Sequence, residues 1–134
     1  MDYKIEHFEK FNDKRGQLVI FLRNRDLDKK LKFFGQIYFV TFEKKGIVRA
    51  NHYHKEFREW FGVVDGKVKV VLVDIKTNER KEMVLDGNSK KYARLEIGPN
   101  IAHGFKSLTN SVSLLNYTDK EWSSKDVFPM EVIK

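Results

Sequence analysis

The 134-residue sequence has no cysteine and only two prolines, Pro99 and Pro129. Without cysteine there is no disulfide framework, no thiolate zinc site and no thiol nucleophile. No stretch approaches the ~18 consecutive apolar residues of a membrane-spanning helix, so no membrane partner is expected. The opening MDYKIEHFEKFNDKRG alternates acidic and basic residues around no apolar core, so it does not read as a secretory signal. These absences give the expectation of a cytoplasmic protein. Ser/Gly-rich linkers, repeats and low-complexity runs are missing too, and residues 1–134 are expected to form one domain, long enough to bury a core without staples.

What is present is apolar and aromatic material at 41% and 13% of residues, beside a formal charge of +7. A disordered chain would lack that aromatic content, so the charges belong on a solvated surface. The basic residues are scattered: Lys29, Lys30 and Lys32, then Lys44 and Lys45, then Lys90 and Lys91. With no helix-turn-helix pattern and no zinc-finger spacing, nucleic acid is not an expected partner. A positive surface suits a small polyanion such as a nucleotide diphosphate, or serves solubility alone.

Apolar, β-branched runs lie at Leu18 to Leu22, Phe33 to Phe42, Trp60 to Val64, Val68 to Ile75, Ala93 to Ile97 and Val112 to Tyr117. Turn chemistry separates them at Lys44-Lys45-Gly46, Asp65-Gly66, Thr77-Asn78, Asp86-Gly87-Asn88, Gly98-Pro99-Asn100 and Thr109-Asn110. Asp65-Gly66 between two such runs predicts a tight hairpin, because that turn needs positive φ. The regular spacing predicts an all-β sandwich or barrel of antiparallel sheets. Short helical turns are expected around Asn24 to Lys32 and Asp119 to Lys125.

Three of the four histidines fall into one pattern. His52 and His54 are two apart, so on a strand they share a face. The stretch from Gly46 to Gly66 reads glycine, five residues, His-x-His, four residues, Glu59, six residues, glycine. Gly98-Pro99-Asn100-Ile101-Ala102-His103 then adds a turn, a strand start and the third histidine. Converging inside a barrel, His52, His54, His103 and Glu59 could hold zinc, iron, manganese or nickel. Without a metal the same cluster supplies a general base tuned near neutrality. Partly buried, hydrogen-bonded side chains with no catalytic role are the bland alternative; His7 stands apart from the pattern.

The Gly46–Gly66 spacing resembles the first cupin signature in full. The second is weaker, its proline-to-histidine interval one residue short and its expected asparagine displaced to Asn110. The whole chain resembles the RmlC-like sugar-nucleotide isomerases of that superfamily, the dTDP-4-keto-6-deoxyhexose 3,5-epimerases and the dTDP-sugar 3,4-ketoisomerases. Asp13-Lys14-Arg15-Gly16 is similar to their D-x-R-G opening, and Arg49-Ala50-Asn51-His52 to their R-G-x-H strand, with alanine replacing glycine. His54 and the short Pro99–His103 spacing are closer to the ketoisomerases; Ala102-His103-Gly104-Phe105 is spelled as in the epimerases. Leu115-Asn116-Tyr117-Thr118 stands where the epimerases carry L-Y-K. Glu59 replaces their lysine, Trp122 another tyrosine, and their histidine-orienting aspartate has no clear counterpart near Asp126.

The resemblance implies an RmlC-like cupin β-barrel (jelly roll) and an isomerase of a dTDP-linked 4-keto-6-deoxy sugar, working by proton transfer through an enediol(ate). The reaction would be 3,4-ketoisomerisation or C3/C5 epimerisation, in deoxysugar and surface-polysaccharide biosynthesis. His52 would be the base, His54 its positioner or proton shuttle, and Tyr117 an acid on the opposite face. Arg15 and Arg49 would hold the diphosphate, with His103, Tyr38 and Glu59 also contacting substrate. A homodimer is implied, with Arg15 reaching the neighbouring subunit's site. No cofactor is expected, a divalent metal on His52, His54, Glu59 and His103 being the alternative, and a non-catalytic carbohydrate-binding barrel a third reading. Other roles stay open: Arg15 as a solvated turn residue, Arg49 paired with Glu59, Tyr117 as a barrel-wall aromatic, and Tyr38 and Phe39 as core. Of Trp60 and Phe61, one is expected inward and the other outward, where it would suit a dimer interface.

Overall fold

The computed structural model describes residues 1–28, 30 and 34–134. Its strands are β1 (Tyr3–Phe8), β2 (Phe11–Asp13), β3 (Gly16–Leu18), β4 (Gln36–Phe42), β5 (Val48–Tyr53), β6 (Glu59–Asp65), β7 (Lys67–Asp74), β8 (Arg80–Asp86), β9 (Tyr92–Ile97), β10 (Ile101–Ser107), β11 (Val112–Thr118) and β12 (Phe128–Pro129). They form two five-stranded sheets, ordered β1-β9-β6-β11-β4 and β12-β5-β10-β7-β8, plus the β2–β3 hairpin. Every pairing is antiparallel. Among the described residues no helix is long and apolar enough to cross a membrane.

The core lies between the two five-stranded sheets, where alternate residues point inward. Val68, Val70 and Leu72 of β7 meet Phe61, Leu95, Ile97, Phe105 and Leu114 there. β7 is buried on its outer face as well, since Val71 and Val73 pack under Val132 and Ile133 of the C-terminal strap. Burying a side chain of this kind is worth about 1.5–3 kcal/mol, so the strap is anchored by its apolar ends.

Asp65-Gly66 does not make the predicted hairpin. Gly66 has the expected positive φ of 81°, yet β6 and β7 belong to different sheets and the turn is a corner between them. A Cβ on Gly66 would stand 2.0 Å from the Ser111 carbonyl oxygen, so the glycine serves close approach as well as dihedral freedom. The same crossing occurs after β4, β5, β8, β9, β10 and β11, whereas Thr77-Asn78 closes the true β7–β8 hairpin, with Asn78 at φ 62°. Turn residues mark where a strand stops but not which strand it pairs with, which is why this expectation failed.

Of the predicted helical turns, one is a 3-10 turn at Asn24–Asp26 and the other at Ser124–Asp126. The part of the first reading that falls on residues 29 and 31–33 lies outside the described residues, as do Lys29 and Lys32 of the first basic cluster and the start of the Phe33–Phe42 run. Trp60 and Phe61 do face opposite sides, but neither is free for a partner: they are 1% and 3% exposed. Phe61 is in the core, and Trp60 stacks against Tyr117 on the other face of the sheet at 5.2 Å.

Candidate active site

The His-x-His strand is shaped by an irregularity just ahead of it. β5 pairs with β10 as Arg49↔Phe105 and Ala50↔Gly104, then His52↔His103, so Asn51 is an extra residue without an opposite number. This β-bulge carries two consecutive left-handed residues, Ala50 at φ 70° and Asn51 at φ 56°. Strict alternation would put Arg49 and His52 on opposite faces; the inserted residue resets the pleat and brings both to the same cavity.

The three motif histidines converge. The His52 ring centroid is 4.7 Å from His54 and 5.0 Å from His103, and one ring nitrogen from each lies within 4.8 Å of the others. His54, His103 and Glu59 are 4%, 2% and 3% exposed. Glu59, at the start of β6, brings Oε2 to 3.2 Å from His103 Nε2 and 3.8 Å from His54 Nε2. Main-chain carbonyls fix the rings: Nδ1 of His54 donates to the Asp126 carbonyl at 2.6 Å and Nδ1 of His103 to the Ile101 carbonyl at 3.0 Å. Both Nε2 atoms therefore point inward as lone pairs.

Burial sets the charge state. It lowers the pKa of His52 to about 4, with His54 adding repulsion. It also lowers His103, assisted by the neighbouring His52, and lowers His54 against the opposing pull of Asp126. Glu59 is pushed up to about 8, chiefly by burial; Asn116 draws it down, and the Asp119 and Asp126 charges add to the rise. At neutral pH the cluster thus holds neutral imidazoles and a protonated acid.

His52 and His103 open onto a cavity of about 140 Å3 whose other walls include Arg49, Tyr38, Phe42 and Leu114. The Arg49 guanidinium lies over the Phe42 ring, 5.7 Å from its centroid. No Arg49–Glu59 ion pair forms among the described residues; the Glu59 carboxylate faces His103 and His54 instead. Desolvation raises the Tyr38 hydroxyl, with the Glu59 charge adding and Arg49 opposing. Phe39, by contrast, is 76% exposed, so it neither lines this cavity nor packs in the core.

Two expected site residues lie elsewhere. Tyr117 is buried on the outer face of its sheet, against Trp60 and Phe34, lining a different recess with Phe21 and Ile37. Leu114 points into the histidine cavity, so Tyr117, three positions on, faces away. Arg15 sits at the β2–β3 turn with its side chain 91% exposed, paired with Asp13. His7 is exposed on β1, outside the cluster. A larger recess of about 210 Å3 between Lys10, Gln17, Tyr92 and Leu115 contains none of the expected site residues among the described residues.

Residues that the sequence did not single out complete the site. Asp126 orients His54 through its carbonyl, while its carboxylate accepts from the backbone N–H groups of Lys55 and Glu56. An aspartate near the C-terminus thus does meet a histidine, but through its main chain and at His54. Asn116 is fully buried beside Glu59 and draws its carboxyl pKa down. Asn51 grips the C-terminal strap. Only asparagine's tolerance of left-handed backbone hinted at that last role.

The donor set also answers in kind to a divalent metal: three imidazoles, two with Nδ1 held by carbonyls, and one carboxylate. Two donors about 2.1 Å from one ion lie at most about 4.2 Å apart, so a spread of up to 4.8 Å would contract slightly around it. His52, His54 and His103 would hold such an ion, with Glu59 standing against His103 and His54 beside it, and it would supply Lewis-acid polarisation of a carbonyl.

The family model described as "FdtA: WxcM-like, C-terminal" matches residues 1–129. The chain is 28% identical over 103 residues to the TDP-4-oxo-6-deoxy-alpha-D-glucose-3,4-oxoisomerase of Aneurinibacillus thermoaerophilus, covering 77% of this chain and 68% of that protein. A 3,4-ketoisomerase from Helicobacter canadensis superposes with a TM-score of 0.78 at 26% identity, over 96% of this chain and 90% of that one. The dTDP-6-deoxy-D-glucose-3,5-epimerase RmlC from Legionella pneumophila, solved with dTDP-4-keto-L-rhamnose, gives 0.82 at 22% identity, over 98% of this chain and 73% of that one. These likenesses establish the RmlC-like cupin fold.

Proposed function

The chain belongs to the FdtA (WxcM-like, C-terminal) family, and from that premise we propose that it is a 3,4-ketoisomerase of a dTDP-linked 4-keto-6-deoxy sugar. The observation that carries the reading is His52, a neutral imidazole facing the same cavity as Arg49 and Tyr38. A proton α to a ketone leaves only when a positioned base meets it and the resulting enolate oxygen is stabilised. His52 takes the proton from C3, and a proton donor at the cavity wall, for which the Tyr38 hydroxyl is placed and kept protonated by burial, protonates the C4 oxygen. The enediol then loses its O3 proton and accepts one at C4, giving the 3-keto-4-hydroxy product. Atoms and electrons balance without a redox cofactor.

Arg49 at the cavity mouth would bind the diphosphate, where a planar guanidinium can engage two oxygens at once. Arg15 would do so for a second subunit: it stands fully solvated on a hairpin that also exposes Phe11 and Leu18, at 57% and 59%, a surface suited to a homodimer. Ketoisomerisation is favoured over epimerisation because the tyrosine read as the epimerase acid, Tyr117, is on the far side of the sheet, while a second histidine stands beside the base. A cytoplasmic role in deoxysugar biosynthesis for surface polysaccharides agrees with this substrate.

The test is direct. Incubation with dTDP-4-keto-6-deoxyglucose, followed by NMR, should yield the 3-keto isomer; recovery of unchanged substrate would defeat the reading. The metal-dependent alternative, favoured by the two inward Nε2 lone pairs beside Glu59, is separated by metal analysis of protein purified without added metal and by activity after chelation. Full turnover by metal-free protein decides for the first reading.

A further inference from the structure

The bulged residue of β5 is held by the C-terminal strap, residues 124–134. Asn51 Oδ1 accepts from the backbone N–H groups of Val132 and Ile133 at 3.0 and 3.2 Å, and Asn51 Nδ2 donates to the Ile133 carbonyl at 2.9 Å. Its own carbonyl accepts from Met130 N–H at 2.9 Å. On one side β12 pairs with His52 and Tyr53, and on the other the Asp126 carbonyl holds His54. Arg80 and Lys106 tie down the strap's far end through the Val132 and Lys134 carbonyls. Space for the clamp is made on β10: a Cβ on Gly104 would stand 2.7 Å from Asn51 Oδ1 and 2.5 Å from Ile133 Cγ2.

Two adjacent left-handed residues cost free energy and persist only where their surroundings over-determine them. Here the surroundings are three hydrogen bonds from one side chain. Were the bulge to relax into regular pairing, alternation would turn His52 out of the cavity. We propose that Asn51 is a positioning residue: by clamping the bulge to the strap, it holds His52 on the cavity face in line with Arg49 and His54. Its effect on turnover rests on the isomerase reading of the cavity; its effect on the imidazole does not.

The test uses the full chain. In Asn51→Gly the left-handed backbone remains free of strain while all three side-chain bonds are gone. Turnover of dTDP-4-keto-6-deoxyglucose should fall at least 10-fold in kcat, with KM and dTDP affinity within twofold, and the His52 ring resonances should broaden or double. Asn51→Asp keeps the acceptor for Val132 and Ile133 and should restore kcat to within threefold of the parent. Arg80→Ala, which loosens the strap away from the histidine strand, should leave kcat within twofold. The proposal is overturned if Asn51→Gly keeps kcat within twofold, if KM and affinity worsen in step with kcat, or if Asn51→Asp is no better than Asn51→Gly. Should Asn51→Gly not fold, Gly104→Ala strains the clamp from β10: the same kcat loss supports the proposal and parental kcat overturns it. If the parent turns over no keto-sugar, the isomerase reading fails, and an unchanged or a perturbed His52 resonance still decides the clamp.

Discussion

Glu59 Oε2 lies 3.2 Å from His103 Nε2 with both side chains buried. His103 already commits its Nδ1 hydrogen to the Ile101 carbonyl, so Nε2 can only accept. Glu59, pushed up to about 8 by burial, keeps its proton at neutral pH and faces that lone pair. A neutral pair avoids the desolvation cost that a buried ion pair would carry.

The sign of the pH dependence follows. Glu59 ionises near 4.5 when unfolded and near 8 when folded, so its contribution is complete below 4.5 and is lost as pH rises through 8. Glu59→Gln removes that loss. Relative to the variant, wild-type stability in urea should decline between pH 5 and 8 by at most about 1.4 kcal/mol per pH unit, then level off. Parallel curves for the two proteins would show Glu59 to be ionised already.

His52 behaves oppositely, because its folded pKa is depressed to about 4 from 6.5. The unfolded chain takes up protons first, so stability from this group is present above 6.5 and lost as pH falls toward 4. Burial is the main cause and His54 adds to it; Arg49, Tyr38 and His103 are the other charged or titratable groups lining the same cavity, with Glu59 against His103. The acid limb of kcat/KM should have its midpoint near pH 4–5 wherever the fold persists. A midpoint near 6.5 would mean a solvated imidazole.

Ala50 stands where the resembling family carries glycine, at φ 70°. The left-handed region costs an L-residue about 1–2 kcal/mol, and glycine's extra unfolded-state entropy returns part of it. Ala50→Gly should therefore raise stability by about 0.5–1 kcal/mol in urea unfolding without lowering kcat. A loss of stability would show that the bulge is held without strain.

The two tyrosines separate the two faces of one sheet. Tyr38→Phe, inside the cavity, should lower kcat at least 10-fold. Tyr117→Phe, behind it against Trp60, should change kcat less than threefold and act on stability. Steady-state kinetics of the two variants decide; a reversed order would return the acid to Tyr117.

The apolar runs that became β4, β6, β7, β9 and β11, and the convergence of His52, His54, His103 and Glu59, were legible because alternation and turn residues are local signals. The Leu18–Leu22 run is strand only at Leu18, and the more polar β1 and β8 carried no such run. Pairing was not: Asp65-Gly66 reads as a hairpin, and only the packing of two sheets makes it a corner. Nor was facing legible wherever a bulge intervenes. Counting by twos puts Arg49 opposite His52, and one inserted residue, Asn51, reverses that. Tyr117 fails for the complementary reason, since β11 alternates without interruption from Leu114 and carries it outward. The orienting role of Asp126 escaped because a carbonyl performs it, and every residue has a carbonyl.

The most direct measurement of the central claim is proton NMR of dTDP-4-keto-6-deoxyglucose in D2O with the wild-type protein and His52→Asn. The wild type should erase the sugar C3–H signal as the 3-keto product forms, while His52→Asn, folded and still binding dTDP, leaves it intact. Loss of that signal at equal rates in both proteins, or in neither, would contradict His52 as the base.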